Sequence, residues 1–427
     1  MARAMKDSGI ELIGDIPSGW TVTRLKYNLS TPMKYGATET GVDFEEALPR
    51  YIRITDITAD GKLKEEGKLS LTQIQARGYE LKDKTILFAR SGGTVGKTFM
   101  YYSTYGKAAF AGYLVSACSN PCLMLPEWIM FFTKSSAYWE WVNQVFSQAT
   151  IQNIGADKYS NMPIPIAPLE EQNRIVLFLQ ERCAEIEKVA SDVQAQIEML
   201  EQYKRSVITE AVTKGLNPNV PMKDSKIQWI GQMPVHWALV RGKYALSYLQ
   251  KPIRSDDGVV TCFRDGEVTL RSNRREEGFT MADKEIGYQG VDIGDLVVHG
   301  MDGFAGAIGI SDSRGKASPV LNVLDTAQNK KYIMYFLRSM AYNDVFLALA
   351  TGIRVRSCDL RWNKLSELYY PIPPRQEQDE IVNFIDSVID RTNAIIDGKR
   401  QQLAVLEEYK KSVIFEYVTG KKEVPVA

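Results

Sequence analysis

Between residues 171 and 214 the apolar side chains return with a heptad rhythm. Leu179, Ile186, Val193, Leu200 and Val207 are seven residues apart, and Cys183, Ala190, Ile197 and Ala211 each stand four residues after a member of that row. A 3-4 alternation draws an apolar seam along one face of a helix, the pattern of helix-on-helix packing. It predicts a helix roughly 65 Å long at a rise of about 1.5 Å per residue. Pro163, Pro165 and Pro168 lead into it, Glu170 and Glu171 fall in its first turn, where the helix dipole favours acid, and Gly215 with Asn217-Pro218 ends it. Residues 377 to 418 repeat the pattern through Ile385, Ile389, Ile396, Leu403, Leu406, Val413 and Tyr417, with Gly420 as the stop. Thr392 and Lys399 interrupt this second row, and Ile395 is read as a partial substitute. Amphipathic helices of this length need a cover for their apolar face. Two alike in one chain most simply pack on each other, and antiparallel packing would relate two halves by an approximate two-fold axis.

Outside these helices the rhythm changes. Tyr51-Ile52-Arg53-Ile54-Thr55-Asp56-Ile57 alternates like a half-buried strand, followed by a turn at Asp60-Gly61. Thr85-Ile86-Leu87-Phe88-Ala89 reads as a buried strand running into the turn-rich Ser91-Gly92-Gly93-Thr94-Val95-Gly96. Asp295-Leu296-Val297-Val298-His299 and Asp302-Gly303-Phe304-Ala305-Gly306 match it at an offset of 210, with Gly93 and Gly96 keeping their places as Gly303 and Gly306.

The chain is in fact written twice. From Met5 to Tyr27 it matches Met222 to Tyr244 at an offset of 217, with 12 of 23 positions identical, including Trp20 with Trp237 and Arg24, Lys26 and Tyr27 with Arg241, Lys243 and Tyr244. Pro165, Gln172, Ile175, Val176 and Phe178 recur as Pro371, Gln378, Ile381, Val382 and Phe384, and Tyr203 to Ile208 recur as Tyr409 to Ile414, at an offset of 206 without gaps. Residues 28 to 150 and 245 to 350 are thus two versions of one α+β module that have drifted in length and loop chemistry between repeated frames. A pseudo-dimer in one chain implies a target that also comes in two halves, which need not be identical.

Composition narrows the classes. An apolar fraction of 44% with 24% charged residues is that of a globular protein, and 427 residues exceed one compact core. No run reaches 18 apolar residues and the N-terminus has no apolar signal core, so a cytoplasmic protein with no membrane partner is expected. Five scattered cysteines fit reduced thiols. Lys and Arg number 52, as do Asp and Glu, which argues against a nonspecific nucleic-acid coat. With only His236 and His299 present, a histidine-centred active site or zinc cluster is not expected, and His236, whose counterpart is Gly19, is read as structural.

Ser91 to Thr98 resembles a phosphate loop but has Ser91 where the first glycine belongs, and its second copy has Ala307 and Ile308 in place of Lys97 and Thr98, so a tight hairpin is the better reading. Cys118 and Cys122 have no second ligand pair nearby, and no S-adenosylmethionine or dinucleotide fingerprint and no nuclease cluster is found. The chain reads as non-catalytic and without a cofactor or metal of its own. Basic residues gather where recognition loops would lie. They are Arg264, Arg271, Arg274 and Arg275, then Arg354, Arg356 and Arg361, and in the first half Arg50, Arg53, Lys62, Lys64, Arg90 and Lys97. Arginine can read guanine bidentately or grip phosphate. From these, Arg53, Arg90, Lys97, Arg264, Arg271, Arg274, Arg354 and Arg356 are the DNA-binding candidates.

The phrase Val212-Thr213-Lys214-Gly215-Leu216-Asn217-Pro218-Asn219-Val220-Pro221-Met222-Lys223-Asp224-Ser225, followed by Ile230-Gly231 and Pro234-x-x-Trp237, resembles the central joint of the specificity subunit of Type I restriction–modification enzymes. Pro165 to Gln172 and its echo Pro371 to Gln378 resemble the approach to that family's helices. The resemblance covers essentially the whole chain and implies an order of parts: target recognition domains at 1–160 and 217–370, spacer helices at 161–216 and 371–427. It also implies that each domain reads one half of a split site in double-stranded DNA. The antiparallel helices would set the gap between half-sites and dock two methyltransferase subunits, which carry S-adenosylmethionine. Two restriction subunits using ATP and Mg would complete the complex. The competing expectations are a stand-alone DNA-binding regulator or coiled-coil scaffold, and an enzyme in its own right.

Overall fold

A computed structural model describes residues 3–58, 61–147, 153–274, 286–349 and 360–425. The chain divides into two compact units, Met1–Val193 with Gln401–Ala427, and Gln194–Arg400. The long helices run Leu169–Lys214 and Arg375–Val418, each starting two residues earlier than the periodicity predicts. Each unit therefore contains one part of both helices, and within each unit the helix segments pack antiparallel. In the first unit the Phe178 ring lies 4.6 Å from that of Tyr417, and Glu187 pairs with Lys410 at 2.7 Å. In the second, Lys204 Nζ donates to Asn393 at 3.0 Å and Lys399 to Gln196, so pairing again falls along one helix as it rises along the other.

The apolar row accounts for this packing. Leu179, Ile186, Val193, Ile396 and Val413 are buried, while Leu200, Val207, Ile389, Leu403 and Leu406 are half-buried. The expectation for Ile395 is corrected. Thr392 is itself buried and Ile395 is exposed, because the row runs 385, 388, 392, 396 and a residue one step before 396 lies about 100° around the helix.

Both units share one framework. In the first, a four-stranded sheet has the order Lys34–Tyr35, Leu114–Ala117, Ile86–Ala89, Thr98–Met100; in the second the order is Ser247–Tyr248, Leu321–Asp325, Leu296–His299, Ile308–Ile310. The phosphate-loop look-alike is the antiparallel hairpin turn between Ile86–Ala89 and Thr98–Met100. The stretch from Tyr51 is not one alternating strand. Arg50–Ile52 is a fully buried strand and Ile54–Asp56 a 3-10 turn, because Asp56 caps the turn by accepting the Arg53 backbone N–H. The strand before each long helix pairs with the one leaving each repeated phrase, Pro163–Ile166 with Thr21–Arg24 and Tyr369–Ile372 with Ala238–Arg241.

The repeated glutamine anchors each helix start. Gln172 is fully buried, accepting from Leu125 N at 3.0 Å and donating to Leu123 O and Ala167 O. Gln378, equally buried, accepts from Asn329 N at 2.8 Å and donates to Gln328 and Pro373 O. Its side-chain amide fixes the helix to the module by satisfying backbone groups that would otherwise be buried unpaired. The other helix ends on the repeated phrase. Gly420, at φ +72, lies against Pro17 and Trp20, and Gly215, at φ +77, against Pro234 and Trp237. Trp20 and Trp237 are fully buried cores of these junctions.

Candidate nucleic-acid interface

In the first unit the turn after Ile86–Ala89 carries two of the predicted residues. Arg90 Nε donates to Asn153 Oδ1 at 3.2 Å and Nη1 to Gly112 O at 3.3 Å, and its guanidinium stacks 4.7 Å from the centre of the Tyr35 ring. This holds Arg90 in one half-buried orientation at the loop base, while Lys97 projects into solvent. Below the turn, the Tyr138 hydroxyl donates to Gly96 O at 2.6 Å and that of Tyr159 to Ala89 O at 2.7 Å, both buried. Arg53 stands elsewhere in the unit. Its guanidinium is bidentate on Asp56, at 3.0 and 2.7 Å, and also reaches Gly67 O at 2.8 Å, and the Asp56 hydrogen bonds raise its pKa.

In the second unit the structure brings three predicted residues together. Arg264, Arg271 and Arg274 line one open cleft of about 900 Å³ with Thr261, Phe263, Asp265, His299 and Asp302. The hairpin Val260–Cys262 to Val268–Leu270 forms one wall. Its turn needs Gly266, at φ +87, because a side-chain carbon there would fall 1.7 Å from the Arg338 guanidinium that donates to Gly266 O. Arg264 pairs with Asp302 at 2.9 Å, Arg274 is gripped by Asp265 and by Glu267 at 2.9 Å while stacking 4.2 Å over Phe263, and Arg271 Nε points to Thr261 Oγ1 at 3.4 Å. The Arg274 guanidinium holds the Asp265 carboxyl below its usual range. His299 was not foreseen here. Its Nδ1 accepts from Met301 N at 3.2 Å and Asp302 N at 3.0 Å, so Nε2 carries the proton, and burial lowers its pKa. The cleft therefore presents donors and acceptors side by side, as reading both the acceptor-rich edge of guanine and the amino groups of adenine or cytosine requires. Arg354 and Arg356 lie outside the described residues.

His236 pairs with Glu377 at 2.8 Å on the protein surface. Among the described residues no three His, Cys, Asp or Glu side chains are grouped to hold a metal, and no helix is long and apolar enough to cross a membrane.

The helices carry a second repeated feature. Besides the buried seam, the first unit exposes Val189 from one helix with Val405 and Tyr409 from the other; the second exposes Ile395 with Met199 and Tyr203. These are the same three positions at the 206 offset, with the two helices exchanging roles.

Comparison with known proteins agrees with this architecture. Residues 47–199 match the family described as Type I restriction modification DNA specificity domain. The chain is 23% identical, over 96% of both sequences, to a protein named as the MjaX type I restriction enzyme specificity subunit of Methanocaldococcus jannaschii. It is 19% identical to the StySPI type I restriction enzyme specificity subunit of Salmonella potsdam, over 80% of this chain and 75% of that one. It shares its fold with a chain from a solved structure concerned with complex assembly and conformational transition of the type I R-M system, at a TM-score of 0.67 and 15% identity, over 95% of this chain and 99% of the other. The chain is thus similar over nearly its whole length to a type I restriction enzyme specificity subunit, and its residues 47–199 carry the match to the DNA specificity domain.

Proposed function

We propose that this chain selects the DNA sequence on which a type I restriction–modification complex acts, each unit reading one half of a split, asymmetric site. The observation that carries this reading is a shared framework with unshared loops. Both units have the same sheet order, but at the same turn one places Arg90 and Lys97 and the other His299 and Asp302, which face Arg264 of a neighbouring hairpin across the cleft. Two different surfaces on one repeated frame suit two different half-sites.

Two methyltransferase subunits dock on the long helices. The exposed triads Val189, Val405, Tyr409 and Ile395, Met199, Tyr203 support this, because equivalent apolar patches fit two copies of one partner. The partners supply the chemistry: the methyltransferases carry S-adenosylmethionine, and restriction subunits use ATP and Mg. This chain is the non-catalytic member and its helices set the gap between half-sites. Co-purification tests the assignment. The chain should capture two methyltransferase subunits, and methyl transfer from labelled S-adenosylmethionine to DNA should require both. Capture of none, or methyl transfer or cleavage by the chain alone, would overturn it.

A further inference from the structure

Each repeated phrase ends in the same exposed triplet. Between Thr21 and Tyr27 only Arg24, Lys26 and Tyr27 are identical to their counterparts Arg241, Lys243 and Tyr244, and all six are exposed. The inward positions have changed: buried Leu25 is replaced by Gly242, where a side-chain carbon would fall 2.1 Å from Leu365 O. Packing alone would produce the reverse, a retained interior beneath a drifting surface. Arg24 and Arg241 end the strands that pair with the approach to each long helix, and the Lys and Tyr of each triplet sit on the one-turn helices that follow directly, Leu25–Asn28 and Gly242–Ala245. Tyr27 is 64% exposed and Tyr244 77%. Lys26 Nζ stands 5.1 Å from the centre of the Tyr27 ring and Lys243 Nζ 5.2 Å from that of Tyr244. The arginines are braced at their bases, Arg24 by Asn161 at 3.1 Å and Arg241 by Tyr369 at 3.0 Å and Glu367 at 3.2 Å.

An identical triplet in both units cannot discriminate two different half-sites, so its contact is with something both halves of the target share. Two cations and a phenol hydroxyl, the lysine ammonium set beside the tyrosine ring and the arginine braced separately at its base, are donors suited to anionic oxygen. We propose that Arg24-Lys26-Tyr27 and Arg241-Lys243-Tyr244 are two equivalent clamps on the phosphodiester backbone, giving each unit the same sequence-independent grip beside its own reading surface. This rests on the DNA-recognition reading above.

The test uses the assembled complex with its methyltransferase subunits. Duplex binding is measured across a salt series for wild type, Lys26→Ala, Lys243→Ala, the double variant, and Lys26→Arg as the charge-preserving control. Each alanine should lower the slope of log affinity against log salt by about 0.9, and the double by about 1.8. Affinity for the target duplex and for an unrelated duplex should fall by the same factor, and the methylated sequence should not change. Lys26→Arg should keep the wild-type slope. An unchanged slope, a changed methylated sequence, or loss of methyltransferase subunits from the variants by mass photometry would overturn the clamp; the last would assign the triplet to a protein partner. Failure of the wild-type complex to prefer any sequence would instead overturn the underlying reading.

Discussion

Replacing either of two equivalent glutamates with alanine should have unequal effects. Glu171 Oε2 accepts the indole N–H of fully buried Trp20 at 2.9 Å, while its Oε1 lies 2.7 Å from Arg3. Its counterpart at the 206 offset, Glu377, instead binds the half-exposed His236, and the buried Trp237 indole N–H has no hydrogen-bond partner among the described residues. Glu171→Ala orphans a buried donor, which costs about 1–3 kcal/mol. Glu377→Ala removes only a partly exposed pair, about 0–1 kcal/mol. The first substitution should therefore destabilise its unit by roughly 1–2 kcal/mol more than the second. Two compact units need not unfold as one, so the assay is hydrogen exchange along a denaturant series, read separately over residues 5–27 and 222–244. A Glu377→Ala loss equal to or larger than that of Glu171→Ala would refute the reasoning.

Three other outcomes are expected. Gly420→Ala should be more damaging than Gly215→Ala, in the same exchange assay: both positions have positive φ, but the new carbon at 420 falls 2.4 Å from Pro17, whereas at 215 the nearest atoms are 3.2 Å away. Acid should open the second unit between about pH 4 and 2. Lys251 and then Arg314 hold Asp292 down to about 2, and Arg314 and Arg274 depress Asp257 and Asp265. Because these folded values lie below the unfolded value of about 3.9, the stabilisation is present above it and lost as pH falls through the folded ones. Asp292→Asn should flatten that dependence in an acid titration followed by exchange. Inserting seven residues into both long helices keeps the heptad phase and adds about 10 Å, so the gap in the methylated site should lengthen by about three base pairs. An unchanged gap would refute the helices as its ruler.

The helices were legible because one local rhythm decides them. Leu179 to Val193 and Ile396 to Val413 lie where the seam predicts, and the error at Ile395 arose from treating an apolar residue as a better seam member than the correctly phased Thr392. The repeated frame was legible for a similar reason, since Gln172 and Gln378 keep their spacing to the helices they anchor. The cleft was only half legible. Arg264, Arg271 and Arg274 could be picked by residue type, but their carboxylate partners Asp302 and Asp265 and the donor His299 come together only when two hairpins fold against each other. Arg53 shows the same limit. Nothing in its alternating segment reveals that Asp56, three residues on, takes its guanidinium in a bidentate pair, and that depends on the chain leaving the strand at Ile52.

The most direct test of one half-site per unit is sequencing of methylated adenines in cells that carry this subunit with its methyltransferase, alongside cells in which the subunit bears Arg264→Ala. The wild type should mark one motif made of two different specific parts separated by an unread gap, and the variant should relax only one part. A palindromic or uninterrupted motif, or a variant that alters both parts together, would contradict the account.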